Sequence, residues 1–253
     1  MRKKTVLCGV FMVLMICTTR AFAAERVEPV FCANANMAEV AAELLSDGDA
    51  YVSGVGLSGG DKQQVLSVVQ AYVDAVSATS ATPTVKGAVV HSGTPDERIK
   101  LVVLPVSDEF AEAELEVLSA HAGSTTTSIS NYLCQRLSYD KEAAAGKLTL
   151  SSPQATARGS IMNGKAVCMG YANAFAVLAE RSGIKSVKIR GYNANGYHVI
   201  NVVEGGFVCD VTYADSSGVS NYIMISLEDY CEKTGFRPMV DFAVAFGLKY
   251  KTQ

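Results

Sequence analysis

The chain has 253 residues, 49% of them hydrophobic and 19% charged, and a formal net charge of −3. That is the composition of an ordinary globular protein, long enough for one large or two small domains with a proper core. A mildly acidic chain without basic clusters carries no electrostatic footprint for nucleic acid or anionic lipid, and neither an internal repeat nor a heptad is visible.

The first residues, Met1-Arg2-Lys3-Lys4, are basic, an apolar run follows from Val6 to Cys17, and Ala21-Phe22-Ala23 precedes Ala24. A positive start, an apolar segment too short to span a bilayer and an Ala-x-Ala pattern predict a secretory signal over 1–23. The expected mature chain begins near Ala24, is secreted or held in the cell envelope, and has no membrane span. Leu14-Met15-Ile16 before Cys17 is a poor context for lipid attachment. Export would place the remaining cysteines, Cys32, Cys134, Cys168, Cys209 and Cys231, where disulfides persist. The simplest arithmetic on an odd number leaves Cys168 as the free thiol, the other four unpaired or paired in one of three ways. Five buried, reduced thiols fit equally well, because the spacing shows no disulfide framework.

In the segment 24–122 the pattern predicts a small α/β module. A short helix is expected from Asn36 to Leu45 and a longer one from Asp61 to Ser77, where Val65, Val68, Val69, Tyr72, Val73 and Val76 recur at three-and-four spacing. Ser77 to Thr84 reads as a loop, and Val85–His91 and Ile99–Leu104 as paired strands, the second ended by Pro105, which has no N–H for a ladder. Ser107 and Asp108 then predict the cap of a helix carrying Glu109 in its first turn. His91 is expected in a strand or loop and His121 at a helix end beside Gly123, with no site in this module.

The boundary is placed at His121–Ser124, so that 123–253 forms the core. Thr125–Asp140 reads as a helix with Ile129, Tyr132, Leu133 and Leu137 inward, and Asp140 as a cap or solvated carboxylate without the partner a general acid needs. A small-residue loop at Gly164 runs into a helix that begins at Cys168 and buries Tyr171, Ala172, Phe175, Leu178 and Ala179, with Gly183 after its end. The first turn of a helix presents unpaired N–H groups and the positive end of its dipole, which favour a charged sulfur. A lone apolar-helix cysteine is also an ordinary packing residue, so its partners must decide.

Of the three histidines, His198 lies in a convincing downstream strand, Gly196–Glu204, which follows the turn signal Asn195-Gly196. Val187 and Ile189 alternate in a strand before it. After Gly205-Gly206 comes a second extended run, Phe207–Tyr213. With a two-residue loop, Glu204 would pair with Phe207 and His198 would project away from Asp210. With Glu204-Gly205-Gly206 as a three-residue loop, Val203 pairs with Phe207 and Ile200 with Asp210, so that His198 and Asp210 become diagonal neighbours roughly 7–8 Å apart at the backbone. The three-residue loop is therefore expected, with Cys209 on the opposite face. A strand at Asn221–Ser226 and a short helix at Leu227–Thr234 complete the prediction.

The series Gly164-Lys165-Ala166-Val167-Cys168-Met169-Gly170-Tyr171-Ala172, then His198 with Asn201 three positions on, then Asp210-Val211-Thr212-Tyr213-Ala214-Asp215, resembles the bacterial transglutaminase-like family. The match is best from about Tyr139 to Asp215. The resemblance implies a papain-type triad with Cys168 as nucleophile, His198 as general base and acid, and Asp210 as the group orienting the imidazole. It departs where the family often has tryptophan: Ile200 and Tyr213 stand there, positions expected to wall the site, and the chain has no tryptophan.

The expected fold class is α+β: a papain-like or transglutaminase-like core, its nucleophile at a helix N-terminus packed on an antiparallel sheet, plus the small N-terminal α/β module. The expected chemistry is attack of the Cys168 thiolate on an amide or ester carbonyl of a protein or peptide substrate, giving a thioester that water or a primary amine resolves, with no cofactor and no metal. The backbone N–H of Cys168 supplies one oxyanion donor, and Asn163 is the candidate for the second. Two rivals differ in class: a binding module that keeps the fold without turnover, and a metal site of Cys168, His198 and Asp210, for which the pattern offers no fourth ligand.

Overall fold

The computed structural model describes residues 35–54, 57–77, 82–106 and 109–250. The predicted signal segment, Cys32, most of the loop expected after Ser77, and the cap expected at Ser107 and Asp108 lie outside the described residues.

The N-terminal part runs α1 (Ala35–Asp47), β1 (Asp49–Ser53), α2 (Gly59–Val76), β2 (Thr84–Val90), β3 (Arg98–Leu104) and α3 (Glu112–Ala122). Helix α2 starts two residues before the expected Asp61 because Ser58 and Asp61 cap each other: the Asp61 N–H donates to Ser58 Oγ at 3.2 Å, and the Ser58 N–H to Asp61 Oδ2 at 2.9 Å. The expected strand pair forms, antiparallel with Val85 opposite Val103, and β1 adds to its other side in the order β1-β3-β2. Helix α3 begins later than predicted. Its N-cap is Ala111, whose N–H donates to Glu114 Oε2 at 3.1 Å, so Glu109 precedes the helix instead of entering its first turn.

The rest runs α4 (Thr126–Arg136), β4 (Ser138–Tyr139), α5 (Lys141–Ala145), a 3-10 turn at Pro153–Ala155, α6 (Ala157–Asn163), β5 (Lys165–Ala166), α7 (Cys168–Arg181), β6 (Ser186–Asn193), β7 (Gly196–Val203), β8 (Phe207–Cys209), α8 (Val211–Ser217), a 3-10 turn at Val219–Asn221, β9 (Ile223–Ser226), α9 (Leu227–Thr234), β10 (Arg237–Pro238) and α10 (Phe242–Tyr250). Helix α4 ends short of the predicted Asp140, since Ser138 and Tyr139 leave it to pair in parallel with Lys165 and Ala166. The Asp140 N–H donates to Ala166 O at 2.9 Å, and its side chain, only 8% exposed, caps α5 by accepting from the Ala143 N–H. Tertiary pairing overrides helix propensity here, and it fixes the backbone two residues before Cys168.

The five-stranded sheet has the order β10-β6-β7-β8-β9, with β6, β7, β8 and β9 antiparallel to their neighbours. Its β7–β8 register is that of the three-residue loop: Val203 pairs with Phe207 and Asn201 with Cys209, with Gly205 and Gly206 both at positive φ. The ladder stops at Cys209, so the expected pairing of Ile200 with Asp210 does not form and the predicted strand through Tyr213 is overturned. Asp210 instead caps α8, its Oδ1 accepting the Tyr213 N–H at 3.1 Å.

Alternation along the sheet explains how the layers stack. Val187, Ile189, Ile200, Val202 and Val208 share a core with Val69, Tyr72 and Val73 of α2, Leu44 of α1, and Ile99 and Leu101 of β3. Side chains from both sides of residue 122 thus meet in one core. Val203 and Cys209 pack instead with Phe175 and Leu178 of α7 and with α4 and α6, while Val199 packs against Cys168 and Met169. Helix α10, which the sequence reading missed, adds Ala245 to the first core.

Candidate active site

Helix α7 holds Cys168 as its first residue, with Val167 at the N-cap and no side-chain cap. The backbone N–H groups of its first turn are therefore left for whatever sits at the sulfur. The approach is locked from behind: the Val167 N–H donates to Gln154 O at 2.9 Å, and Asn201 of β7 donates from Nδ2 to Ala172 O at 3.1 Å. At Gly170 a side chain has no room, because an added Cβ would lie 2.2 Å from both Gln154 O and Ser160 Oγ. Overpacking of this kind costs about 1–3 kcal/mol, so Gly170→Ala should lower the thermal midpoint by several degrees, read by circular dichroism.

His198 and Asp210 meet on the sheet. The His198 Nε2–H donates to Asp210 Oδ2 at 2.9 Å; the histidine is 5% exposed and the aspartate 1%. The Asp210 carboxylate is held by two further donors, the Tyr230 hydroxyl to Oδ2 at 2.7 Å and the Tyr213 N–H to Oδ1. Cys168 lies near enough to the same imidazole to favour its protonated form. His198 and Asp210 are thus paired, Cys168 lies near the same imidazole, and Nδ1 is the ring nitrogen that Asp210 leaves free. Burial alone would lower the His198 pKa, but the Asp210 charge and hydrogen bond, with the Cys168 contact, raise it to about 10. The imidazole is therefore held protonated at neutral pH.

The Tyr213 ring stacks on the imidazole, centroids 4.7 Å apart and planes at 17°, and its hydroxyl accepts from Asn193 Nδ2 at 2.7 Å in the β6–β7 hairpin. Of the two positions expected to wall the site, Tyr213 does so, whereas Ile200 is buried in the core. The sequence reading also missed Tyr230, Tyr139 and Tyr197. Tyr139 of β4 and Tyr197 of β7 lie in the neighbourhood of Cys168, and each keeps about two fifths of its surface exposed. Asn163 lies exposed at the last residue of α6. His91 and His121 are exposed, the first at φ 54° in a turn and the second with Nδ1 bonded to Val117 O.

The remaining described cysteines, Cys134, Cys209 and Cys231, carry free thiols, as does Cys168. Burial pushes Cys134 and Cys209 up to about 12, which keeps them protonated and unreactive. Among the described residues no group of three or more His, Cys, Asp and Glu side chains is arranged to hold a metal ion, and no helix is long and apolar enough to cross a membrane.

No family model and no curated protein matches the chain. Among the solved structures that bear a slight likeness to it are two. One is a candidate cysteine protease from Cytophaga hutchinsonii, at a TM-score of 0.33 and 12% identity, over 57% of this chain and 66% of that one. The other is a TGase, at a TM-score of 0.33 and 11% identity, over 65% of this chain and 51% of that one. The chain thus spans about half to two thirds of the length of these structures. Likeness this slight leaves the chemistry to be read from this chain's own residues.

Proposed function

We propose that the protein is an exported, transglutaminase-like cysteine enzyme in which Cys168, His198 and Asp210 act as a triad on amide bonds of proteins or peptides. One observation carries this reading: a single buried imidazole donates to a buried carboxylate and lies near a thiol at the first residue of a helix. In the reaction, the Cys168 sulfur attacks the carbonyl carbon, the uncapped N–H groups of the first turn of α7 receive the developing oxyanion, and the His198 proton passes to the leaving amine. The C–N bond breaks as the thioester forms. His198 then takes a proton from water or from a primary amine, which attacks the thioester and returns the thiolate. Water gives hydrolysis, and the amine gives a new amide.

The test is mass spectrometry of the mature protein after incubation with a glutamine peptide and a labelled primary amine. The expected result is a covalent product, either amine-adducted or hydrolysed, that wild type forms and Cys168→Ala does not. Identical unmodified peptide from both proteins would overturn the enzyme reading in favour of a binding module.

A further inference from the structure

Tyr230 lies outside the three residues of the proposed triad, yet its hydroxyl reaches one of them directly. It donates to Asp210 Oδ2 at 2.7 Å, the same oxygen that accepts the His198 Nε2–H at 2.9 Å. The other oxygen, Oδ1, is taken by the Tyr213 N–H at 3.1 Å. Donors from β7, α8 and α9 thus converge on one carboxylate. Tyr230 is fully buried and Asp210 is 1% exposed, so bulk water cannot stand in for the hydroxyl. Burial and the Asp210 charge push the Tyr230 pKa up, which keeps the hydroxyl protonated and a donor. The ring is itself held: it meets Phe236 edge to face at 5.6 Å and Tyr222 at 6.5 Å, and Phe236 in turn meets the His198 ring at 6.3 Å.

The torsion that turns a carboxylate about its Cβ–Cγ bond is broad and sets no single position for the oxygens. The Tyr213 N–H anchors Oδ1, and a second anchor is needed to stop the rotation. His198 cannot supply it, because it is the group to be placed. Charge satisfaction alone does not select Oδ2 for the hydroxyl, since Oδ1 has one donor and a lone pair to spare. On Oδ2 the hydroxyl bears on the bond to His198. We infer that Tyr230 is a positioning residue, whose hydroxyl fixes the Asp210 oxygen that holds His198 and so sets the imidazole beside Cys168. The inference deepens the enzyme reading, on which its effect on turnover rests; its effect on the imidazole itself does not need that reading.

The experiment reads the imidazole by proton NMR and turnover by kinetics, on the full mature chain. His91 and His121 are exposed, so their ring protons exchange with water quickly, and the slowly exchanging, far-downfield ring proton belongs to His198. In wild type the Tyr230 hydroxyl proton, on the same Asp210 oxygen, should show a nuclear Overhauser cross-peak to it, a reading that needs no variant; its absence overturns the inference. Tyr230→Phe keeps the ring and should shift the His198 resonance and speed its exchange on the order of tenfold. Tyr222→Phe, whose ring packs on both Tyr213 and Tyr230, should leave that resonance in place. An unmoved resonance in Tyr230→Phe, or the same displacement in both variants, reduces Tyr230 to a packing residue. In turnover, Tyr230→Phe should lower kcat about 10- to 100-fold with KM nearly unchanged. Added to Asp210→Asn, the same change should cost less than about twofold, because the carboxylate it acts through is gone; a full additive loss overturns the inference. A resonance displaced only in Tyr230→Phe, without covalent product from wild type, leaves the positioning role standing and removes the enzyme reading. Product from wild type, with kcat unchanged in Tyr230→Phe, does the reverse.

Discussion

Asp210→Asn should cut amide turnover by roughly 10²–10⁴-fold while leaving a folded protein, because no orientation of the new amide satisfies all the donors that now converge on the carboxylate. Oδ2 receives both His198 and Tyr230, and Oδ1 receives the Tyr213 N–H that caps α8. If the amide nitrogen takes the Oδ2 place, it must donate to His198 Nε2. The ring proton then moves to Nδ1, facing the sulfur, where it blocks proton acceptance. If the oxygen takes that place, the nitrogen opposes the Tyr213 N–H and the helix cap is lost, at a cost of about 1 kcal/mol. Either way the counter-charge is gone.

The pH profile separates this from a merely structural effect. In wild type the His198 pKa is raised to about 10 against 6.5 for an ordinary imidazole, so turnover that needs the imidazolium should decline only as pH rises through about 10. The same shift contributes folding stability that is present below about 6.5 and lost as pH rises through about 10. In Asp210→Asn the alkaline limb should move down by more than two pH units. An unmoved limb, with turnover within tenfold of wild type, would show that the carboxylate does not govern the imidazole.

The parts of this site that were legible in the sequence are those set by local rules. Periodicity and Gly183 placed α7 with Cys168 at its start, and the Gly205-Gly206 pair set the hairpin register that carries His198. The β-branched pair Val211-Thr212 read as strand, yet an aspartate followed three residues later by an N–H to cap was also a helix start, and the cap prevailed. The correct residue was therefore named for a partly wrong geometric reason: Asp210 meets His198 from the mouth of a helix and not from across a ladder. Tyr230, twenty positions further on, left no short-range signal, because its hydroxyl reaches Asp210 only through the packing of α9 beneath the sheet. Tyr139 was read as the end of a long helix, and its pairing with Ala166 takes it out of that helix and into β4. Lys188 shows the limit of alternation most sharply. Between Val187 and Ile189 it reads as the solvent side of a half-buried strand, but α7 covers that face as well and leaves the lysine 1% exposed.

Lys188→Met should therefore stabilise the protein at neutral and lower pH and destabilise it above about pH 10, a reversal that few single substitutions produce. The Lys188 ammonium has no carboxylate partner: Nζ donates to Asn173 Oδ1 at 2.8 Å and to Thr82 Oγ1 at 3.1 Å, linking β6 to α7 and to the residue before Pro83. Burial lowers its pKa from 10.5 to about 7, with Lys249 adding to the fall and Glu180 opposing it. An unfolded chain keeps the proton up to about 10.5, so between about 7 and 10.5 folding releases it and stability rises with pH. Below that window the penalty is several kcal/mol at 1.36 kcal/mol per pKa unit. Against it, methionine forfeits two hydrogen bonds and leaves the Asn173 oxygen with only the long Thr82 Oγ1 donor at 3.4 Å, a loss of about 2–3 kcal/mol that does not depend on pH. At pH 6–7 the removed penalty exceeds that loss, and the variant should be more stable by about 1–2 kcal/mol. Above about pH 10 the penalty has vanished and only the loss remains, so the order reverses. His198 titrates through part of the same range but does so in both proteins, and its contribution cancels in the difference. Urea unfolding of wild type and Lys188→Met at pH 6, 8 and 10.5 measures that difference directly; a stability gap that keeps one sign and one size across all three would mean that Lys188 folds with its proton in place.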